Sequence, residues 1–175
     1  VSKLAIRQVR INGDEILKKA ARPVTDITPA MHELLDDMLE TLRAKDAVGL
    51  AAPQVGVLRR IVVVEFEEEL YELINPEILS QNGSQICNEA CLSVPGRCGD
   101  IERPFEVTVR ALNRHGEEIT VTVDDFVASA FCHEIDHLNG ILFLDNATNV
   151  QFITNEQAEE RRKLRRNRRE RRLRR

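Results

Sequence analysis

The order of apolar and polar residues predicts a helix, a set of strands and a second helix. Met31, Leu34, Leu35, Met38, Leu39 and Leu42 recur at helical spacing and form one apolar stripe. Thr28-Pro29 precedes it, a capping residue followed by a proline suited to the first helical position. The stripe stops before Val48-Gly49-Leu50-Ala51-Ala52-Pro53-Gln54-Val55-Gly56, a small, apolar and turn-prone stretch. Ile61-Val62-Val63-Val64 is β-branched throughout and reads as a buried strand. Asn82-Gly83 marks a turn. Residues 105–112 and 118–123 alternate on either side of Asn113-Arg114-His115-Gly116, the pattern of a hairpin. Asp124 and Asp125 stand at the start of a second helix that runs to about Asn139 and stops at Gly140. Helix, strands, helix, with no internal repeat and no long linker, gives an α+β class rather than an alternating α/β one.

The second helix carries candidate chemistry. Phe126, Val127, Ala130, Phe131, Ile135 and Leu138 make it apolar over much of its circumference, so it is expected to be largely buried. Within it, residues 133–137 read His-Glu-Ile-Asp-His. His133 and His137 lie one turn apart on one face and can both reach one metal ion, and Glu134 can approach a water on that ion. Burying two histidines and a glutamate is costly unless they are bonded or coordinated. That favours a metal over two hydrogen-bonded core histidines. Asp136 points elsewhere and reads as a structural ion pair.

A catalytic centre of this kind wants a third protein ligand and an open position. A third histidine after Gly140 is excluded, because position 143 is Phe. A downstream carboxylate is available in Glu156, although its charged surroundings suit a solvated helix start better. Cys91, in Glu89-Ala90-Cys91-Leu92-Ser93, offers a thiolate suited to a borderline divalent ion.

Composition narrows the class. The chain has 175 residues, 42% apolar and 31% charged, which fits a globular protein rather than a disordered one. No apolar run is long enough to span a bilayer and no signal-like segment opens the chain, so neither a membrane protein nor a secreted precursor is expected. The four cysteines, at 87, 91, 98 and 132, are not spaced as paired CxxC motifs and fit a reducing compartment. The net charge of −4 is unevenly distributed. Residues 161–175 carry eleven Lys and Arg and one Glu, a net +10, leaving 14 bases and 28 acids, a net −14, in the first 160. The basic tail reads as a solvated terminal helix or as a site for an anionic partner, RNA foremost.

Three segments together resemble the peptide deformylase family. Its patterns GxGΦAAxQ, EGCLS and HExxH are matched in order by Ala47-Val48-Gly49-Leu50-Ala51-Ala52-Pro53-Gln54, by Glu89-Ala90-Cys91-Leu92-Ser93 and by His133-Glu134-Ile135-Asp136-His137. The likeness spans most of residues 1–150. Ala47 and Ala90 replace glycines of the family patterns, and glycine usually permits positive φ or close backbone approach. The resemblance implies antiparallel sheets packed around the central helix that carries HExxH. It implies that Cys91, His133 and His137 hold one divalent metal, Fe²⁺ with Ni²⁺, Co²⁺ or Zn²⁺ as substitutes. Glu134 would be the general base and acid, and the Gln54 amide and Leu92 N–H would face the formyl oxygen. The implied activity removes the formyl group from formyl-methionine at the N-terminus of nascent chains and releases formate.

Val48, Gly49, Glu89, Phe126, Ser129 and Ala130 are the expected substrate-binding residues, with Phe126, Ser129 and Ala130 placed near the His133 face of the helix. Arg97 and Arg103 follow the Cys motif and read as surface salt-bridge partners ahead of contacts to the peptide backbone, and Cys87 and Cys132 read as buried thiols. Residues 1–150 are expected to form the catalytic domain and 151–175 a charged, Arg-rich helical tail. With a nascent chain as substrate, ribosomal RNA becomes the expected partner of residues 161–175. A monomer in the bacterial cytoplasm, without a membrane or DNA partner, completes the expectation. The competing non-enzymatic reading makes the tail the working part and gives Cys87, Cys91 and Cys98 a structural metal, although structural sites have four closed ligands.

Overall fold

The computed structural model describes residues 4–161 and 163. Helix α1 spans Pro29–Ala44 with Thr28 at its N-cap, and Leu34, Leu35, Met38 and Leu42 of its stripe are buried. Seven strands follow: β1 Gly49–Ala51, β2 Ile61–Phe66, β3 Glu69–Asn82, β4 Gln85–Cys91, β5 Val94–Arg103, β6 Glu106–Leu112 and β7 Glu118–Asp124. Helix α2 spans Asp125–Leu138, and β8 spans Thr148–Phe152. Residues 155–161 and 163 are helical. The strands form a five-stranded sheet, β1-β2-β3-β6-β7, and a three-stranded sheet, β4-β5-β8, with every pairing antiparallel. The α+β class expected from the order of elements is the class observed.

Strand β2 explains why its sequence lacks alternation. Val62 and Val64 pack into a core with Phe131, Ile135 and Leu138 of α2. Ile61 and Val63 pack into a second core with Leu35, Met38 and Leu42 of α1. Both faces of the strand are dry, so every position favours an apolar residue. Phe131 is fully buried and meets the Tyr71 ring edge-on, with centroids 5.0 Å apart.

The other side of α2 faces the three-stranded sheet, where Ser129, His133 and Asp136 reach side chains of β4 and β5. The helix therefore lies between the two sheets. Asn139 caps it, and Gly140 follows at φ +73°, where a Cβ would also lie 2.6 Å from the Lys18 carbonyl oxygen. Only glycine satisfies both constraints.

The expected domain boundary at 150 falls inside β8, whose Phe152 pairs with Arg97 of β5, so the folded body extends beyond it. Arg161 then donates to Asn88 Oδ1 at 2.6 Å, which ties the C-terminal helix to the outer face of β4. The rest of the basic tail, residue 162 and residues 164–175, lies outside the described residues.

Candidate metal centre

Cys91 ends β4 and pairs with Val94 of β5, so Leu92 and Ser93 form a two-residue connection between the strands. That turn delivers the Cys91 sulfur to the buried face of α2. One ligand atom each from Cys91, His133 and His137 lies within 4.8 Å of the others, and Cys91 Sγ is 3.3 Å from His137 Nε2. Among the described residues, no second group of three such side chains converges. One sulfur and two imidazole nitrogens suit a borderline divalent ion, and three protein ligands leave a position open. Two buried side-chain atoms among the described residues have no hydrogen-bond partner, Glu134 Oε2 and His137 Nδ1, and both are here. His137 turns its Nε2, not this Nδ1, to Cys91, so the informative orphan is Glu134 Oε2, since unsatisfied buried polar atoms are rare. The residues fit a bound metal.

Glu89 organises the cluster from behind. Its Oε2 accepts from His133 Nδ1 at 2.8 Å, and its Oε1 accepts from Ser129 Oγ at 3.0 Å. Arg103 clasps the same carboxylate with Nε at 2.8 Å and Nη2 at 3.1 Å, and extends Nη1 to Asp136 Oδ2 at 2.7 Å. The Glu89–His133 bond turns Nε2 of that ring toward the cluster. Burial pushes the Glu89 carboxyl up, but the bonds from His133 and Arg103 outweigh it and hold the group down at about 2. Burial also lowers His133, and its bonds to Cys91 and Glu89 reverse this and raise it. His137 lacks such a carboxylate and is lowered, by burial first and by the charge on His133 second. Burial pushes Glu134 up to about 7, against the opposing charge on His133.

Glu134 needs a glycine beside it. A Cβ on Gly49 of β1 would collide with Glu134 Oε1 and lie 2.7 Å from its Cγ, so the carboxylate packs directly on the strand backbone. Gln54 lies in a single 3₁₀ turn after β1 and is fully buried. Its Oε1 accepts from the Ala51 N–H at 2.8 Å, and its Nε2 faces Ser93 Oγ at 3.1 Å and Cys91 Sγ at 3.5 Å. Leu92 is half-buried and packs against the α1 core.

The expected substrate-binding residues divide. Val48 and Ala130 are half-buried beside the α2 core, and Phe126 is 44% exposed with its ring 5.1 Å from that of Phe66. Glu89 and Ser129 are instead buried behind His133, with their polar atoms committed to one another, to that ring and to Arg103. Arg103 corrects the expectation of a surface salt bridge: its side chain is 8% exposed. Asp136 is its ion-pair partner. Arg97 lies 5.3 Å over the Phe152 ring. Cys132 is buried as expected, whereas Cys87 is half-exposed. Glu156 is exposed on the C-terminal helix and takes no part in the cluster, and Cys87 and Cys98 do not converge with Cys91. Ala47 and Ala90 are absent from the described residues with positive φ, so neither backbone position demands glycine for its conformation. A hollow of about 430 Å³ lies elsewhere, between α1 and the segments holding Arg7, Asp26 and Arg59.

Ser93 and the Arg103 link to Glu89 and Asp136 are the site residues that sequence reasoning left without a role. Alternation along β4 puts Cys87, Glu89 and Cys91 on one face of the strand, a signal for the buried Glu89 that needs a cationic partner, whereas Ser93 lies in the turn beyond it.

Comparison with known proteins adds independent findings. A family model described as polypeptide deformylase matches residues 6–152. The peptide deformylase of Acetivibrio thermocellus is 52% identical over 163 residues, covering 93% of this chain and 95% of that protein. The crystal structure of peptide deformylase from Thermotoga maritima superposes with a TM-score of 0.80 at 37% identity, covering 82% of this chain and 98% of that one. A Met-Ala-Ser-bound class I type b peptide deformylase from Acinetobacter baumannii superposes with a TM-score of 0.80 at 34% identity, covering 82% and 99%.

Proposed function

The chain belongs to the polypeptide deformylase family, and on that premise we propose that Cys91, His133 and His137 hold a divalent ion with which Glu134, Gln54 and Leu92 remove the N-formyl group of nascent polypeptides. The convergence of the three ligand atoms beside the unpartnered carboxylate oxygen of Glu134 carries this reading. The ion supplies Lewis-acid chemistry, lowering the pKa of water towards neutrality and drawing charge from the formyl oxygen.

The chain's own residues do the rest. Glu134 accepts the proton of the attacking water. Burial lifts its carboxyl to about 7, close to the range in which one group serves efficiently as base and then as acid. As the C–N bond breaks, Glu134 passes the proton to the departing amine nitrogen. The Gln54 Nε2–H and the Leu92 N–H face the oxygen on which charge develops. Preorganised donors of this kind are each worth about 10²- to 10³-fold in kcat. Glu89 holds His133 by its Nδ1 edge, with Ser129 and Arg103 fixing Glu89 in turn. Formate and a free N-terminus are the products.

Fe²⁺ is the proposed resident ion, with Ni²⁺, Co²⁺ or Zn²⁺ able to replace it. Val48, Gly49, Phe126 and Ala130 are proposed to line the slot for the substrate methionine, with Glu89 and Ser129 beneath it. The catalytic unit is assigned to residues 1–150, with the strand that runs on to Phe152, and 151–175 to an accessory tail. Residues 161–175 bring the enzyme, a cytoplasmic monomer, to ribosomal RNA. No helix among the described residues is long and apolar enough to cross a membrane.

The test is metal content after substitution. Cys91→Ala is expected to lose the ion and Glu156→Ala to keep it. Retention by the first and loss by the second would make Glu156, and not Cys91, the third ligand.

A further inference from the structure

Ser93 belongs to the Cys91 turn and has no role in the chemistry described so far. It is nevertheless fully buried, although it carries a hydroxyl. Its carbonyl accepts from the Asn12 N–H at 2.7 Å, which anchors the turn to the N-terminal segment. Its Oγ receives Gln54 Nε2 at 3.1 Å, and its own backbone N–H points at Cys91 Sγ from 3.4 Å.

The consequences follow from counting donors. The Gln54 carbonyl oxygen must face the Ala51 N–H, which fixes which end of the amide is which. Two N–H bonds then remain on Nε2. Ser93 Oγ takes one, and the other is aimed at Cys91 Sγ, 3.5 Å away. The amide cannot flip without losing a buried bond, and buried polar groups left unpaired are costly. The Cys91 sulfur therefore faces two N–H donors, one from the Ser93 backbone and one from the side chain that Ser93 holds in place.

We infer that Ser93 is a positioning residue that locks the Gln54 amide, so that Gln54 and the Ser93 N–H hydrogen-bond the metal-ligating sulfur of Cys91 and weaken its electron donation to the ion. Hydrogen bonds to ligating thiolates are a known lever on metal electronics. The Gln54 N–H that faces the sulfur belongs to the amide assigned above to the formyl oxygen, so metal tuning and oxyanion binding draw on one side chain. This rests on the ligand set assigned above.

The test uses full-length protein loaded with Co²⁺, reading the sulfur-to-cobalt charge-transfer band beside steady-state kinetics. Ser93→Ala is expected to move the band to lower energy and to reduce kcat about tenfold with KM little changed. Ser93→Thr, which keeps the hydroxyl, is expected to restore both. Gln54→Leu, close in shape and without N–H, is expected to shift the band the same way, and serves if Ser93→Ala does not fold. A band at its wild-type position in cobalt-loaded Ser93→Ala or in Gln54→Leu overturns the inference. A wild-type protein with no sulfur-to-cobalt band, or a Cys91→Ser protein that keeps it, would instead overturn the ligand set itself.

Discussion

Glu134 sits one residue after His133, a proposed metal ligand, and the chemistry proposed for it depends on its being buried without a partner of its own on Oε2. Replacing it by glutamine keeps the shape and removes the proton acceptor. Glu134→Gln is expected to retain one metal per chain and to lose about 10²- to 10⁴-fold in turnover, measured by formate release beside metal analysis. The two histidines and Glu134 were legible because they share one helical turn, where spacing alone fixes geometry. The work of Arg103 was not. It depends on β4, β5 and α2 meeting, and a lone arginine in a sequence resembles a surface one. Removing it would leave the Glu89 carboxylate buried without its clasp. Arg103→Ala is therefore expected to destabilise the fold by about 3–5 kcal/mol in a denaturant titration. With His133 no longer held by a fixed carboxylate, metal affinity should fall about 10- to 100-fold.

At the scale of elements, both long helices could be read from apolar stripes because each buries one continuous face. Strand β2 was legible as a β-branched run, and the β6–β7 hairpin through alternation around a turn. The stretch from β3 to β5 was not, for a physical reason. The inward positions of β4 hold Cys87, Glu89 and Cys91, and β5 contains Pro95, Gly96, Gly99 and an inward Arg103. Polar residues that serve the site erase the alternation that marks a strand. Phe131→Ala empties the centre of the α2 core and should cost about 3–5 kcal/mol, seen as a lower denaturation midpoint with an unchanged slope. Gly49→Ala drives a methyl into the Glu134 carboxylate, so it should lower kcat with the metal content intact. An unchanged kcat would show that the carboxylate need not rest on β1.

For the whole molecule, the −14 body holds the described site and the +10 tail is the proposed ribosomal anchor. The described start of the C-terminal helix is held to the body by an exposed Arg161–Asn88 bond, a contact of the kind that adds little stability. A chain ending at residue 160 is therefore expected to turn over a short formyl peptide at the full-length rate. The same truncation should abolish ribosome binding, and the full chain's binding should weaken steeply as salt rises. Equal ribosome binding by both forms in a sedimentation assay would remove the tail from the account.

The most direct test of the metal-dependent deformylase assignment is formate release from formyl-Met-Ala-Ser by protein purified without oxygen, then stripped with a chelator and reloaded with Fe²⁺. Formate should appear with free Met-Ala-Ser in equal amounts, stop on stripping and return at one ion per chain. Formate release that persists in the stripped protein, or cleavage between amino acids in place of deformylation, would contradict the assignment.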